Sequence, residues 1–133
     1  MKSLTFPKGF PKGKKPKKQS KTALTKKCDA LFSKNIRSVG VCMLAGKDFL
    51  TCNGQLQCMH IIGRANRRLR WDSHNAIAGC QKHHLYYTWH PTEWALFISK
   101  HFPEKWEYVR QHHFEIMKPN YEVLIHELEQ GNL

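Results

Sequence analysis

The middle of the chain carries histidine and cysteine side chains that can transfer protons or bind metal ions, together with an asparagine that can form hydrogen bonds beside them. Three short segments hold them: 56–62 (LQCMHII), 70–75 (RWDSHN) and 80–84 (CQKHH). A neutral imidazole can take a proton from water near pH 7, and imidazole and thiolate are both zinc ligands. Taken singly, His60 is typical of a buried structural histidine, Asn75 of a helix cap and His84 of a surface residue. The three carry a functional meaning only as a set.

The cysteines point to metal binding. Five of them, an odd number, stand at positions 28, 42, 52, 58 and 80. No apolar segment near the first residue is typical of a secretory signal, and no run of about 18 apolar residues could span a membrane. We therefore expect a reducing compartment and no membrane partner. In such a compartment, cysteine close to histidine indicates a metal site more than a disulfide.

The three segments together resemble the HNH nuclease family, and in particular its phage and prophage members. Those members have a Leu-Gln-Cys strand before the first His, as at 56–58, and an Arg-Trp-Asp-x-x-Asn segment, as at 70–75. Their last motif His lies nine residues after the Asn, which is the spacing from Asn75 to His84. Flanking segments at 31–37 (LFSKNIR) and 89–94 (WHPTEW) also match, so the resemblance covers about residues 28–110.

The resemblance implies a metal-dependent endonuclease that hydrolyses DNA on a ββα-metal fold. His60 is then the general base, Asn75 orients the segment bearing His60, and His84 binds the single catalytic metal ion. The metal polarises the phosphate and stabilises the leaving 3′-oxygen. The resemblance further implies a role in phage recombination, DNA processing or packaging, in the cytoplasm of a bacterial host.

Met59 departs from the family pattern. Many members have an Asp directly before the first His, where it is a second metal ligand. A thioether is a poor ligand for Mg²⁺ or Mn²⁺. A replacement could come from His90, a neighbouring residue or solvent. The candidate ions are Mg²⁺, Mn²⁺, Ni²⁺ and Zn²⁺. A site with more imidazole and less carboxylate favours the last three over Mg²⁺.

Phage-type HNH proteins often hold a structural zinc ion between two Cys-x-x-Cys knuckles, so the resemblance implies a second metal site. The segment 80–83 (CQKH) supplies one knuckle, with His in place of the last Cys. The other knuckle is interrupted. The alternative is that the zinc has been lost and the thiols are buried core residues. We predict four zinc ligands, with Cys58 as a substitute and Cys28 in the core: Cys42, Cys52, Cys80 and His83.

The positive charge is concentrated at one end of the chain. Residues 1–27 hold ten Lys and no acidic residue, whereas residues 28–133 hold twelve basic and ten acidic residues. Pro, Gly and charge predict a disordered arm over 1–21. A mobile cationic arm neutralises DNA phosphates without reading sequence. The alternatives are a solubilising tail or a targeting signal. The arm residues predicted to contact DNA are Lys14, Lys15, Lys17 and Lys18.

Four arginines lie between the two halves of the nuclease motif. Arg binds phosphate bidentately, so this cluster predicts a phosphate clamp; the alternative is a solvated loop. The clamp and the arm would also suit a non-catalytic, zinc-stabilised DNA-binding protein, and the same chemistry would suit a nuclease specific for branched DNA. The predicted clamp residues are Arg64, Arg67, Arg68 and Arg70.

These side chains need a scaffold, for which the sequence predicts an α+β fold with one domain at 22–133. Apolar spacing predicts a helix over 22–38, capped by Thr22 or Thr25 and ended by Gly40. Short extended pieces follow within 41–62, then a basic loop or second strand at 63–71. A helix is predicted at about 74–87. The motif core is placed at 41–90, and C-terminal helices at 92–130, over 92–101, 103–116 and 119–129.

Overall fold

The computed structural model describes residues 19–131. The predictions for Lys14, Lys15, Lys17 and Lys18 lie outside these residues. Within 19–131 the fold is α+β, as predicted, with five α-helices and a two-stranded antiparallel sheet. None of these helices is both long and apolar enough to cross a membrane. The elements in chain order are α1 Lys21–Arg37, β1 Leu56–His60, β2 Ala76–Cys80, α2 Gln81–Trp89, α3 Pro91–His101, α4 Pro103–His112 and α5 Tyr121–Glu129.

The sheet and α2 form a continuous β-β-α unit. Strand β1 pairs with β2 so that Leu56 faces Cys80 and His60 faces Ala76. The predicted helix at about 74–87 is therefore wrong in its first half. Residues 76–80 (AIAGC) are all buried and form a strand, and α2 begins only at Gln81. A short, wholly apolar run suits a strand covered on both faces, and a helix interior disfavours Gly79.

Gly79 also allows the close packing of the two strands. A Cβ atom placed on Gly79 would lie 2.1 Å from the Sδ atom of Met59 and 3.3 Å from Cδ1 of Leu44. The thioether of Met59 thus occupies the space that a side chain at position 79 would need. This contact buries Met59, the residue directly before His60.

Two long loops lie beside the strands. Val41 and Phe49 are bends and Cys42, Leu50 and Thr51 have no regular structure, so the extended pieces predicted there are not strands. Residues 61–72 also form no strand, which agrees with the loop predicted as one of two alternatives for 63–71. Backbone hydrogen bonds tie the first loop to the sheet and α2: the Met43 N–H donates to Ala78 O, and the Gln81 N–H donates to Gln55 O. Contacts between distant segments therefore fix these loops, which local periodicity does not reveal.

Helix α1 begins and ends at its caps. The predicted caps Thr22 and Thr25 are wrong, because the Ser20 side chain accepts the Ala23 N–H and starts the helix at Lys21. The helix ends at Arg37, and Gly40 turns the chain with a φ of 79°. Such a positive φ favours glycine.

The core has two parts, one on each side of the β-hairpin. Buried residues of the hairpin, the loops, α3 and α4 form one part, including Leu44, Ile77 and Ile98. Residues of α1 and α5, with Trp71 and Ala76, form the other, and Cys28 is buried there as predicted. Helix α1 is thereby fixed beside β1, where the candidate functional residues lie.

Candidate functional site

His60 and His84 line one cleft. The cleft has a volume of about 600 Å³ and lies between α1, β1, the 61–72 loop and α2. His60 is the last residue of β1, and His84 lies in the first turn of α2. Their elements are joined directly through β2, so the β-β-α unit brings the two imidazoles together. The charged residues that share the cleft are Asp29, Arg37, Arg64 and Arg70.

The imidazole of His60 is oriented by a backbone carbonyl. Its Nε2 lies 2.9 Å from Arg70 O. A carbonyl oxygen only accepts, so Nε2 carries the proton and Nδ1 keeps its lone pair. Burial is the main cause that lowers the pKa of His60 below its ordinary value of 6.5. The ring is therefore neutral at pH 7, with one nitrogen able to accept a proton.

Asn75 holds the chain immediately after His60. Its side chain is fully buried, and its Oδ1 accepts the Ile62 N–H at 2.8 Å. Its Nδ2 donates to Ile62 O at 2.9 Å and to Leu69 O at 3.0 Å. The Asn75 backbone O also accepts the Ile61 N–H. Asn75 thus fastens both ends of the 61–72 loop, which carries the carbonyl that orients His60.

Replacing Asn75 with alanine is expected to lower the free energy of unfolding by about 2–4 kcal/mol, because three hydrogen bonds are lost and their buried partners stay unpaired. Chemical denaturation would measure this. Asn66→Ala is the matched control with a smaller expected loss, since Asn66 donates to His113 O at an exposed position and accepts one further bond, from the Leu69 N–H. An equal loss in both variants would contradict the special role of Asn75.

His84 is held by a side-chain amide. Its Nδ1 lies 2.6 Å from Oε1 of Gln57 on β1. Because this oxygen accepts, Nδ1 carries the proton and Nε2 keeps the lone pair that can bind a cation. Burial lowers the pKa of His84, which favours the neutral form that metals need. Gln57 thus acts on His84 as the Arg70 carbonyl acts on His60.

Neither Met59 nor His90 adds a good ligand beside His84. Met59 lines a small cavity of about 80 Å³ with the two histidines, and its neighbours there include no carboxylate. The Nδ1 atom of His90 lies 2.7 Å from Tyr86 O, and its ring stacks on Tyr86. His90 lines neither this cavity nor the larger cleft. Of the two predicted ligands of the catalytic ion, His84 lines both cavities and His90 lines neither.

Four residues form a separate group close enough to hold a metal ion. All their ligand atoms lie within 4.8 Å of one another. The Nδ1 atom of His83 lies 3.0 Å from the Sγ atom of Cys80, 3.6 Å from that of Cys42 and 3.9 Å from that of Cys52. Cys58, the substitute ligand, lies outside the group and packs beside the core part that contains Cys28 and Trp71. The predicted set is the one that the fold assembles: Cys42, Cys52, Cys80 and His83.

Surrounding groups prepare this set for a cation. The Nε2 atom of His83 lies 2.9 Å from Asp48 Oδ1, and the Tyr87 hydroxyl donates to Asp48 Oδ2. This fixes the His83 ring with Nδ1 toward the thiols. Burial raises the pKa of Cys80, but hydrogen bonds from the His83 backbone and ring and from Asn53 outweigh it and lower the pKa to about 6. These hydrogen bonds favour the thiolate form of Cys80, which is the form that binds metal ions.

The four predicted clamp arginines do not form one clamp. Arg70 makes a bidentate pair with Asp29 of α1, at 2.7 and 3.0 Å. Arg68 binds Asp72 and Glu115. These pairs hold the loop in place and neutralise two of the cations. Arg64 and Arg67 remain exposed. Arg68 and Arg70 thus already have carboxylate partners within the protein, and the phosphate clamp stays a prediction.

Sequence reasoning missed three residues that organise these sites. Asp29 accepts from Arg70 and from the Trp71 indole, Asp48 orients His83, and Gln57 orients His84. Asp29 and Asp48 carry no motif and lie far from their partners along the chain. Gln57 alone had a signal, since it lies within the LQC segment.

Compared with family models, curated proteins and solved structures, the chain gives no match.

Proposed function

We propose that this protein is a metal-dependent endonuclease that hydrolyses DNA, with an HNH-type ββα site. The observation that carries the proposal is the pairing of two neutral imidazoles in one cationic cleft. Each has one nitrogen fixed by a hydrogen bond and the other free: Nδ1 of His60 and Nε2 of His84. Phosphodiester hydrolysis needs a base for water and a cation at the phosphate, and these two nitrogens suit those roles.

The chemistry follows from the free nitrogens. Nδ1 of His60 takes a proton from a water molecule as its oxygen forms a bond to phosphorus. The bond from phosphorus to the 3′-oxygen breaks, and that oxygen leaves with the electron pair and later takes up a proton. His84 would hold a divalent ion, which would supply charge stabilisation to the phosphate and the leaving oxygen. Arg37 and Arg64 of the same cleft add positive charge near the phosphate.

A plasmid-cleavage assay tests this proposal. We expect supercoiled DNA to be nicked or linearised with at least one of Mg²⁺, Mn²⁺, Ni²⁺ and Zn²⁺. His84→Ala is expected to lower the rate about 100-fold or more, because metal catalysis contributes several kcal/mol. His126→Ala, at an exposed position on α5, is the matched control and should keep the wild-type rate. Absence of cleavage with all four ions, despite DNA binding, would contradict the proposal.

A second candidate function is non-catalytic DNA binding. It is favoured by the state of Asp29, the one acidic residue among those lining the cleft. Both its oxygens are bound by Arg70, and one also accepts from Trp71, so it is not free to bind a metal ion. The same plasmid assay separates the two functions, since this candidate predicts retention of DNA without any cut.

We further propose that the group of Cys42, Cys52, Cys80 and His83 binds a structural Zn²⁺ ion. Tetrahedral zinc with bonds of about 2.3 Å to sulfur and 2.0–2.1 Å to nitrogen would place the sulfur and nitrogen ligands about 3.5 Å apart. The distances of 3.0, 3.6 and 3.9 Å are close to this value. Three thiols and one imidazole also form a set that selects zinc over Mg²⁺.

Replacing Asp48 with asparagine is expected to lower zinc affinity about 10- to 100-fold, because the carboxylate fixes the His83 ring and raises its basicity. Competition with a chromophoric chelator would measure the affinity. Asp72→Asn is a matched control, because Asp72 is a hydrogen-bonded carboxylate that binds His74 and Tyr108 away from the cysteines. Equal affinities for wild type and Asp48→Asn would contradict the role of Asp48.

A further inference from the structure

A second cavity continues the cleft along α1. It has a volume of about 480 Å³ and lies between the first half of α1 and the 61–72 loop. It shares Asp29, Arg64 and Arg70 with the cleft that holds His60 and His84, so the two form one continuous depression. We call this second cavity the α1 groove. Its charged lining residues are Lys21, Lys26, Arg64, Arg67, Arg70 and Asp29.

Most of the positive charge in the α1 groove is not neutralised. The bidentate pair with Arg70 uses both oxygens of Asp29, and Arg64 reaches only within 3.8 Å of it while 64% of its side chain stays exposed. Within residues 19–131, neither Lys21 nor Lys26 forms an ion pair. The groove is therefore strongly cationic, unlike the Arg68 region, where carboxylates balance the charge.

Arg67 is held in position by a neutral group. Its Nη1 donates to the Tyr121 hydroxyl at 3.0 Å, and that hydroxyl also lies 3.0 Å from Oγ1 of Thr25. The Tyr121 ring packs edge-on against Trp71. Three elements thus support one guanidinium without cancelling its charge. Because Arg67 is already held in place, it loses less conformational entropy on binding an anion than a mobile arginine would.

We propose that the α1 groove binds DNA backbone phosphates that neighbour the phosphate that is cut. The position of the cut rests on the proposed function, but the binding itself does not. The groove offers ammonium, guanidinium and the hydroxyls of Thr22 and Thr25, all of which can donate to phosphate oxygens. It has no aromatic side chain on which a base could stack. Contact with the backbone therefore fits better than recognition of bases.

The test is the salt dependence of DNA binding. Anisotropy of a short fluorescein-labelled DNA duplex would be measured with the full chain carrying His60→Ala, so that the probe stays intact. The plot of log K against log salt concentration has a negative slope, and each lost phosphate contact makes that slope shallower by about 0.9. Replacing Lys21, Lys26 and Arg67 with glutamine is therefore expected to make the slope shallower by about two to three.

Two matched variants control for fold and net charge. A triple glutamine variant at Lys47, Lys100 and Arg110 removes the same charge at exposed positions outside the groove and should keep the slope. Lys21→Arg with Lys26→Arg and Arg67→Lys keeps the groove charge and should also keep it. An equal fall in both glutamine variants, or no fall in either, would overturn the proposal. A groove-dependent slope for duplex RNA alone would overturn the assignment to DNA.

The two proposals fail separately. If no metal supports cleavage but the groove variant alone loses slope, the α1 groove stands and the protein binds DNA without cutting it. If cleavage occurs and the slope does not depend on the groove, the nuclease stands and the groove proposal is wrong.

Discussion

Replacing His60 with alanine is expected to lower the rate of DNA cleavage about 100- to 10,000-fold, the usual contribution of general acid–base catalysis. Affinity for DNA should stay close to that of the wild type, because His60 is a half-buried neutral group and not a phosphate ligand. The rate would be measured on supercoiled plasmid at saturating metal, and the affinity by anisotropy. The His126→Ala variant controls for the loss of any histidine.

The pH profile separates a base from a structural histidine. Burial lowers the pKa of His60 below 6.5, so the neutral, active form persists on acidification until the pH falls below that value. We expect kcat/KM to be flat near pH 7 and to decrease on the acidic side of 6.5. The same shift makes protonation favour the unfolded chain, so stability also falls below pH 6.5. Wild-type cleavage by His60→Ala would contradict this assignment.

Replacing Cys80 with serine is expected to abolish stoichiometric zinc binding and to destabilise the fold. Zinc at about 1,000 times its dissociation constant stabilises a folded protein by about 4 kcal/mol, or about 12–20 °C in Tm for a domain of this size. Cys80 is the last residue of β2 and directly precedes α2, which carries His84. Its loss should therefore lower cleavage as well. Zinc content by elemental analysis and Tm by circular dichroism would measure both effects.

Cys58 provides the matched control, since it is a thiol of the same sheet that lies outside the Cys/His group. Cys58→Ala should keep one zinc ion per chain, and adding a chelator should lower its Tm as much as that of the wild type. Two results would contradict the zinc proposal: wild-type protein without zinc after expression in zinc-supplied cells, and a Tm that chelators do not change.

Local signals predicted the starts of two helices closely. Pro103 begins α4 at the predicted residue, because proline suits the first turn of a helix, and α3 begins at Pro91, one residue before the predicted start. The cysteine and histidine set was implied by the resemblance to phage HNH proteins and is confirmed as a group able to hold a metal ion. The helix starts depend on residues close together in the chain, whereas the set joins residues up to 41 positions apart and was reached through the resemblance.

The remaining features depend on contacts between distant residues. Residues 76–80 were predicted as part of a helix at about 74–87, and only their pairing with β1 makes them a strand. Arg70 was predicted to bind phosphate as one of a cluster of arginines. Its ion-pair partner Asp29 lies 41 residues away, so nothing in the sequence pointed to this pairing. The orientation of each imidazole also depends on one acceptor, Arg70 O or Gln57 Oε1. Both residues lie in the matched segments, but the sequence does not assign them this role.

The hydrogen bonds that Asp29 accepts from Arg70 and Trp71 link the order of His60 to the packing of α1. Asp29 belongs to α1, while the carbonyl that sets the His60 tautomer belongs to Arg70. When α1 detaches, that carbonyl loses its anchor and the imidazole is free to rotate. In the proposed nuclease, loss of the α1 contact would therefore lower cleavage even where the Cys42, Cys52, Cys80 and His83 group stays assembled.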